Sequence, residues 1–211
     1  GRPYRQFWMK EYAGVDRETG KPLWYLKEEG NETTSDYSKA AKRYVGSADP
    51  KVYGGFGTSL TWKGFDGSLT FNYRLGGKVF DSGASFTGWG MGDRLTLKRV
   101  VEDSWTPENK DAKYPQYIFN DPNKAANSSS RFVYSGDFLR ISNLTLGYTL
   151  PANLTKKAFM NRVRLYASVD NLYTFFAKDF VGYNPETYDN GYIGWQYPAS
   201  RTLIGGVQIT F

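Results

Sequence analysis

Long segments of this chain alternate between apolar and polar residues, and this period of two restricts its fold more than any other feature. In "SLTFNYRLGGKVF" (residues 68–80), leucine, aromatic and valine residues alternate with polar residues that include Arg74 and Lys78. Successive side chains of a β-strand point to opposite faces of the sheet. The pattern therefore predicts strands that present one apolar face and one polar face.

Other segments follow the same design. In "NRVRLYASVDNLYTFF" (residues 161–176), Arg162, Arg164 and Asp170 lie opposite the apolar residues. The pattern changes phase near Ser142 and Asn143, which predicts a β-bulge there. The dipeptide Asp66-Gly67 within "KGFDG" (residues 63–67) predicts a hairpin turn. We predict six strands, at residues 4–14, 52–62, 68–80, 137–150, 161–176 and 201–211.

The connections between these strands alternate in length. Residues 63–67 and 151–160 form the shorter ones, whereas residues 15–50, 81–131 and 177–200 form long ones. Short turns on one side and long extracellular loops on the other are typical of outer-membrane barrels. Because backbone groups in a bilayer must be paired within the protein, membrane strands occur in closed barrels. Six strands are fewer than the smallest barrels have, so we expect part of a larger barrel or an assembly with another chain.

The composition excludes several kinds of chemistry. The chain of 211 residues contains neither cysteine nor histidine, which removes disulfides, thiol catalysis and the usual general base. Its formal net charge is +6, but the basic residues are dispersed, which argues against nucleic-acid binding. No apolar run is long enough for a transmembrane helix. No catalytic or metal-binding constellation stands out, so we expect neither enzymatic activity nor a cofactor.

Aromatic residues make up 18% of the chain, and many lie in the long predicted loops. Aromatic rings suit membrane interfaces, sugar stacking and protein contacts. Two alternatives therefore stay open beside a barrel segment: a soluble β-sandwich that binds carbohydrate, and a non-transport outer-membrane adhesin. The weak candidates for substrate or partner contact are Trp89, Trp105, Tyr183, Tyr188, Tyr192, Trp195 and Tyr197.

Six stretches in order resemble the C-terminal part of SusC/RagA-type TonB-dependent transporters, the outer-membrane nutrient importers of Bacteroidetes. They cover nearly the whole chain. They are "AGVDRETGKPLWY" (13–25), "GSADPKVYGGFGTSLTWKGFDGSLTFNYRLGGKVFD" (46–81), "SGDFLRISNLTLGYTLP" (135–151), "RLYASVDNLYTF" (164–175), "GYNPET" (182–187) and "YPASRTLIGGVQITF" (197–211).

The resemblance implies an antiparallel transmembrane barrel of about 22 strands, plugged by an N-terminal domain. Residues 1–211 would supply its last six strands, with the plug outside this chain. A SusD-like lipoprotein would cap the extracellular mouth and help capture glycans or peptides, and TonB would act through the absent N-terminal part. The C-terminus would be periplasmic.

The resemblance also implies roles for individual residues. Gly206, Ile209 and Phe211 are similar to the terminal signal read by the barrel-assembly machinery, although Ile204 replaces the usual polar residue. Arg74, Lys78, Arg162, Arg164 and Asp170 would face the barrel lumen and line or brace it, in contact with the plug or the substrate.

Overall fold

The structure is a computed structural model that describes residues 3–87, 96–180, 182, 184–186, 190–194, 197 and 199–211. The described residues form two compact units. Unit 1 comprises those within 3–49, 77–135 and 179–194, and unit 2 comprises those within 50–76, 136–178 and 197–211.

Strands dominate both units, and the helices are one or two turns long. The helices are α1 (Ser82–Thr87), α2 (Lys98–Glu102) and α3 (Ala152–Thr155). The described strands are β1 (Gln6–Lys10), β2 (Tyr12–Val15), β3 (Pro22–Tyr25), β4 (Thr33–Thr34), β5 (Lys42–Ser47), β6 (Val52–Trp62), β7 (Phe65–Leu75), β8 (Lys78–Asp81), β9 (Val133–Ser135), β10 (Phe138–Thr149), β11 (Arg162–Phe176), β12 (Tyr192–Ile193) and β13 (Thr202–Thr210).

Unit 1 consists of three small sheets, in the orders β1-β5, β2-β3-β4 and β12-β8-β9. Its core is a cluster of buried apolar side chains from strands, helices and loops: Phe7, Met9, Ala48, Phe80, Ala84, Val100 and Phe132. The segments expected to be long loops therefore contain strands and a core of their own. Alternation does not reveal such strands, because most of them are two to five residues long.

Unit 2 is one antiparallel sheet in the order β13-β11-β10-β7-β6. Five of the six predicted strands belong to it. The remaining predicted strand, residues 4–14, forms β1 and β2 instead, which pair with β5 and β3 in unit 1. The predicted strand at residues 68–80 ends at Leu75, and Lys78 begins β8 of unit 1. Gly76, with a φ of +83°, separates the two strands.

The hairpin turn between β6 and β7 lies at Lys63–Gly64, so the prediction of a turn at Asp66-Gly67 is wrong. Lys63 and Gly64 both have positive φ angles, 47° and 91°, as a two-residue turn between twisted strands requires. This turn places Phe65 on the apolar face, where its ring lies 4.4 Å from that of Tyr148. Asp66 consequently lies on the polar face.

The predicted bulge near Ser142 and Asn143 is confirmed. Between Ile141 and Asn143 the register of β10 shifts against both neighbours. On the β7 side the additional residue is Ser142. On the β11 side the partner strand has the additional residue, in the region of Asn171, which adopts a φ of +52°. The two irregularities keep the apolar residues of all three strands on one face.

The apolar face of the sheet is open along its length. Cross-strand pairing aligns Leu60, Gly67, Leu146, Ala167 and Gly205 in one row. Leu60 is 74% exposed and Leu203, in the next row, is 78% exposed. The other exposed apolar and aromatic residues on this face are Val52, Phe56, Trp62, Phe65, Leu75, Leu165, Tyr173, Phe175, Val207 and Ile209.

Candidate functional site

The polar face of the unit 2 sheet carries an ion pair that spans three strands. Arg164 on β11 donates from Nε to Oδ1 of Asp66 on β7 at 2.8 Å, and from Nη2 to Oδ2 at 2.5 Å. Both side chains are partly shielded, with 17% and 29% of their surface exposed. The two parallel hydrogen bonds fix the planar guanidinium in one orientation. The pair is therefore a rigid charged brace on this face.

A glycine makes this brace geometrically feasible. Gly147 on β10 lies between the two partners, facing Asp66 on one side and Tyr166 on the other. A Cβ atom at Gly147 would lie 2.5 Å from Nη2 of Arg164 and 2.7 Å from Oδ1 of Asp66. Real Cβ atoms do not approach other atoms that closely, so any side chain here would displace the ion pair.

A hydrogen-bonded cluster lies further along the same face. Asn143 donates from Nδ2 to Ser168 Oγ at 3.0 Å and to Asp170 Oδ1 at 2.7 Å. The hydroxyl of Thr145 donates to Asn143 Oδ1 at 3.0 Å and lies 2.8 Å from that of Ser168. These groups satisfy one another although Ser168 is buried, so the cluster stabilises this part of the polar surface.

The other basic residues of this face also contact or pair with residues of neighbouring strands. Arg140 is only 6% exposed, and its Nε donates to Thr174 Oγ1 at 3.1 Å. Arg162 reaches Thr149, and Arg74 is paired in register with Phe138. Of the five residues predicted to line a lumen, Arg74, Arg162, Arg164 and Asp170 thus share one face, whereas Lys78 lies in unit 1.

Four residues of this polar face are not among the predicted site residues: Asp66, Arg140, Asn143 and Gly147. Asp66 was assigned to a turn, and the others lie in the segment where the change of phase obscured the faces. A turn at Lys63–Gly64 puts Asp66 within β7, an even number of residues before Arg74 and therefore on the same face. Its role could then have been inferred from the sequence.

The three residues predicted to form an assembly signal lie in or after β13. Gly206 faces Tyr166, whose ring covers it: a Cβ atom at Gly206 would lie 2.4 Å from Cζ of that ring. Ile209 pairs with Val163 and is 46% exposed on the apolar face. Phe211 follows the strand and is 81% exposed.

The aromatic candidates for substrate contact have different environments. Trp105 is buried, donates from Nε1 to the carbonyl of Arg17 at 2.9 Å and covers Gly20. Its ring therefore contributes to packing in unit 1. Tyr192 contacts the rings of Phe7 and Phe80 and is 41% exposed. Tyr197 is almost fully exposed. Trp89, Tyr183, Tyr188 and Trp195 lie outside the described residues.

Two exposed aromatic residues of unit 1 are not among the residues predicted to contact substrate or a partner. The rings of Trp8 and Tyr44 lie 4.4 Å apart on the paired strands β1 and β5. They line a polar depression together with Glu11, Glu28 and Arg43, among others. Arg43 contacts Glu11 at 3.2 Å. The depression offers aromatic and charged groups on the surface of unit 1.

Burial changes the acidity of Tyr12 in unit 1. It raises the pKa of Tyr12 to about 12, against a weaker opposing effect of the nearby Arg131 cation. The hydroxyl of Tyr12 has no hydrogen-bond partner among the described residues. A buried, unpaired phenol stays neutral over the physiological range. Tyr12 therefore acts as a packing residue.

The arrangement offers binding surfaces and rigid polar contacts. Among the described residues, no group of histidine, cysteine or acidic side chains could hold a metal ion. No helix in this part of the chain is both long and apolar enough to cross a membrane.

Comparison with known proteins places these features in context. No protein-family model matches the chain. Over its whole length it is 30% identical to the TonB-dependent receptor P3 of Formosa agariphila, of which it spans 22%. It is 27% identical, over 95% of its length, to the TonB-dependent receptor SusC of Bacteroides thetaiotaomicron, of which it spans 19%.

Solved structures give the same result. The RagAB peptide transporter matches 98% of this chain with a TM-score of 0.81 and 30% identity, and the match covers 22% of that transporter chain. The open-open state of the RagAB peptide importer matches 97% of the chain with a TM-score of 0.79. The chain is thus homologous along its whole length to TonB-dependent receptors of the SusC/RagA type, and it spans about a fifth of their length.

Proposed function

We propose that this chain is the C-terminal barrel segment of an outer-membrane TonB-dependent importer. The observation that carries the proposal is the two-sided sheet of unit 2. One face presents exposed leucine, valine and aromatic side chains, and the other carries hydrogen-bonded charged and polar groups. A strand between lipid and an aqueous lumen requires this division.

The same observation argues against the soluble β-sandwich. A sandwich buries one face of each sheet against a second layer. In unit 2 the apolar side chains of Leu60, Leu146 and Leu203 are instead 57–78% exposed. In a bilayer, lipid chains would cover these residues.

On this proposal the polar face of the sheet lines the lumen or contacts the plug. The Asp66–Arg164 pair would brace three strands there without presenting a free charge to the substrate. The remaining strands, the plug and the segment that contacts TonB would lie in other parts of the whole protein. Phe211 and Ile209, with Gly206, would form the signal for the barrel-assembly machinery, at the periplasmic side.

We further propose that the importer acts with a SusD-like surface lipoprotein and takes up oligosaccharides or peptides. Homology to SusC and to the chain of the RagAB peptide transporter supports this assignment. The long connections that contain unit 1 would be extracellular, where Tyr192 and Tyr197 would be candidates for contact with the lipoprotein or the substrate. Transport would proceed by movement of the lipoprotein and the plug.

The proposal can be tested in the host bacterium. The whole protein, carrying an affinity tag, should fractionate with the outer membrane and require detergent for extraction. A lipoprotein partner should be retained with it during purification. Uptake of labelled oligosaccharides or peptides should stop when the gene is deleted or when TonB is inactivated. A protein that is soluble without detergent would contradict the barrel, and membrane localisation with unchanged uptake of both substrate classes would contradict the importer.

A further inference from the structure

The apolar face of unit 2 contains a groove near the end of the sheet that carries the Lys63–Gly64 turn. Its volume is about 620 Å³, within the range of about 300–1,000 Å³ typical of ligand pockets. Its lining is almost entirely apolar and comes from β6, β7, β10 and β11, with contributions from Leu60, Trp62, Phe65, Gly67, Leu146, Tyr148, Leu165 and Ala167.

The groove exists because small residues interrupt a row of large ones. Gly67 and Ala167 flank Leu146 in the same cross-strand row, and Leu60 closes that row on the β6 side. In the next row towards the turn, Trp62, Phe65 and Tyr148 supply aromatic walls. The small residues therefore form the floor of the groove, and the larger leucine and aromatic side chains form its sides.

The end of the sheet beside this groove is basic. Lys63 follows the groove residue Trp62, and its Nζ lies 5.1 Å from the centre of the Trp62 ring. The backbone N–H of Thr149 donates to the carbonyl of Gly64 at 2.7 Å, so the connection after β10 begins beside the turn. That connection carries the exposed Lys156 and Lys157.

Few acidic side chains balance these lysines. The acidic residues within unit 2 are Asp66, Asp137 and Asp170. Asp66 is occupied by Arg164, and Asp137 accepts a hydrogen bond from the N–H of Gly76 near the opposite end of the sheet. Asp170 belongs to the Asn143 cluster. Lys63, Lys156 and Lys157 are thus the lysines carried by the turn and the connection at this end of the sheet, and the acidic side chains of unit 2 have partners of their own.

We propose that this site binds an anionic glycerophospholipid, with one acyl chain in the groove and the phosphate beside Lys63, Lys156 and Lys157. The inference rests on the proposed function, because it requires the apolar face to be in a bilayer. An acyl chain matches the apolar lining, and a phosphate matches the positive charge of the lysines at this end of the sheet. The aromatic sides of the groove include Trp62 and Tyr148, residue types that favour the membrane interface.

The test uses the whole protein extracted from its membrane, freed of lipid by detergent exchange and then incubated with phosphatidylglycerol. Native mass spectrometry would count the lipids that stay bound. Ala167→Leu fills the groove. Gly205→Leu is its matched control, because Gly205 lies in the same row, outside the groove, with open space above it. Lys156→Gln with Lys157→Gln removes two charges, and Lys178→Gln removes an exposed charge beyond the opposite end of β11.

We expect Ala167→Leu to abolish the bound phosphatidylglycerol and Gly205→Leu to leave it unchanged. The double lysine variant should weaken retention by about fivefold for each charge removed, and Lys178→Gln should have no effect. Phosphatidylcholine should bind at least tenfold more weakly than phosphatidylglycerol, and lipid A should not compete for the site.

Equal retention of both phospholipids, or equal effects of Ala167→Leu and Gly205→Leu, would overturn the phospholipid site. Competition by lipid A would assign the site to a lipid of the other leaflet and overturn the present assignment. A protein that needs no detergent would instead refute the proposed function. The two failures are therefore distinguishable in the same preparation.

Discussion

Arg164 and Asp66 are joined by two hydrogen bonds although their strands, β11 and β7, do not pair with each other. The strand between them, β10, presents Gly147 at the crossing point. The absence of a side chain allows the guanidinium to extend over the backbone. Three strands are thus linked by a contact beyond their backbone hydrogen bonds.

Replacement of Gly147 by alanine should destabilise the sheet, because the added Cβ forces Arg164 away from Asp66 and leaves both charges poorly paired. Thermal unfolding of the detergent-solubilised protein would measure the effect. Gly205→Ala is the matched control, since a Cβ there meets nothing within 4 Å. Equal stability of the two variants would contradict the proposed role of Gly147.

The ion pair should show energetic coupling in a double-mutant cycle of Asp66→Asn and Arg164→Gln. Because two parallel hydrogen bonds join the side chains, we expect the effect of the double substitution to differ measurably from the sum of the two single effects. Urea unfolding of the four proteins would give the value. Additive single effects would mean that the two side chains act independently.

Gly206 should tolerate a larger residue only if Tyr166 is removed. Gly206→Ala places a Cβ 2.4 Å from the position of the Tyr166 ring, so we expect a loss of about 1–2 kcal/mol. In a Tyr166→Ala background the same change should cost nothing further. Urea unfolding would measure the loss in each background, and an equal loss in both would mean that the Tyr166 ring is not its cause.

Tyr12→Phe should leave stability at pH 7 within about 0.5 kcal/mol of the native protein, because the buried hydroxyl has no partner to lose among the described residues. Tyr37→Phe is the contrasting variant, since the hydroxyl of Tyr37 donates to the carbonyl of Ser128 at 2.8 Å. That variant should lose about 1 kcal/mol. Chemical denaturation at pH 7 would compare the two.

Alkaline pH should distinguish Tyr12 further. Its pKa rises to about 12 in the folded chain, so its contribution to stability is complete below about pH 10, where an unfolded tyrosine begins to ionise. That contribution is lost as the pH rises from 10 to 12, because the unfolded state gives up its proton first. The native protein should therefore become less stable than Tyr12→Phe across this range, because phenylalanine cannot ionise. A constant difference would contradict the assignment.

The sequence pattern predicted the sheet well where alternation was long and regular. It identified the five strands of unit 2 and the bulge at Ser142 and Asn143, because these depend on which residues share a face. It misplaced the β6–β7 turn because Asp66-Gly67 carries a strong local turn signal. The turn at Lys63–Gly64 instead places Phe65 beside Tyr148 and Asp66 beside Arg164. These tertiary contacts outweigh the local preference.

Unit 1 and the ion pair could not be predicted for related reasons. The core of unit 1 gathers Phe7, Phe80 and Phe132 from distant parts of the sequence, and its strands are too short to show a period. The separation of Lys78 from β7 depends on the positive φ angle of Gly76, which composition alone does not reveal. The Asp66–Arg164 contact requires the register of three strands.

The central claim, that one face of unit 2 contacts lipid and the other contacts water, can be tested directly with spin labels. Single cysteines would be introduced along β13 at Leu203, Ile204, Val207 and Gln208, in a whole protein from which any other cysteine has been removed; residues 1–211 contain none. Collision with oxygen and with a water-soluble nickel complex would report the environment of each label in reconstituted membranes. We predict high oxygen exposure at Leu203 and Val207, and high nickel exposure at Ile204 and Gln208. Uniform exposure to nickel at all four positions would contradict the membrane-spanning sheet.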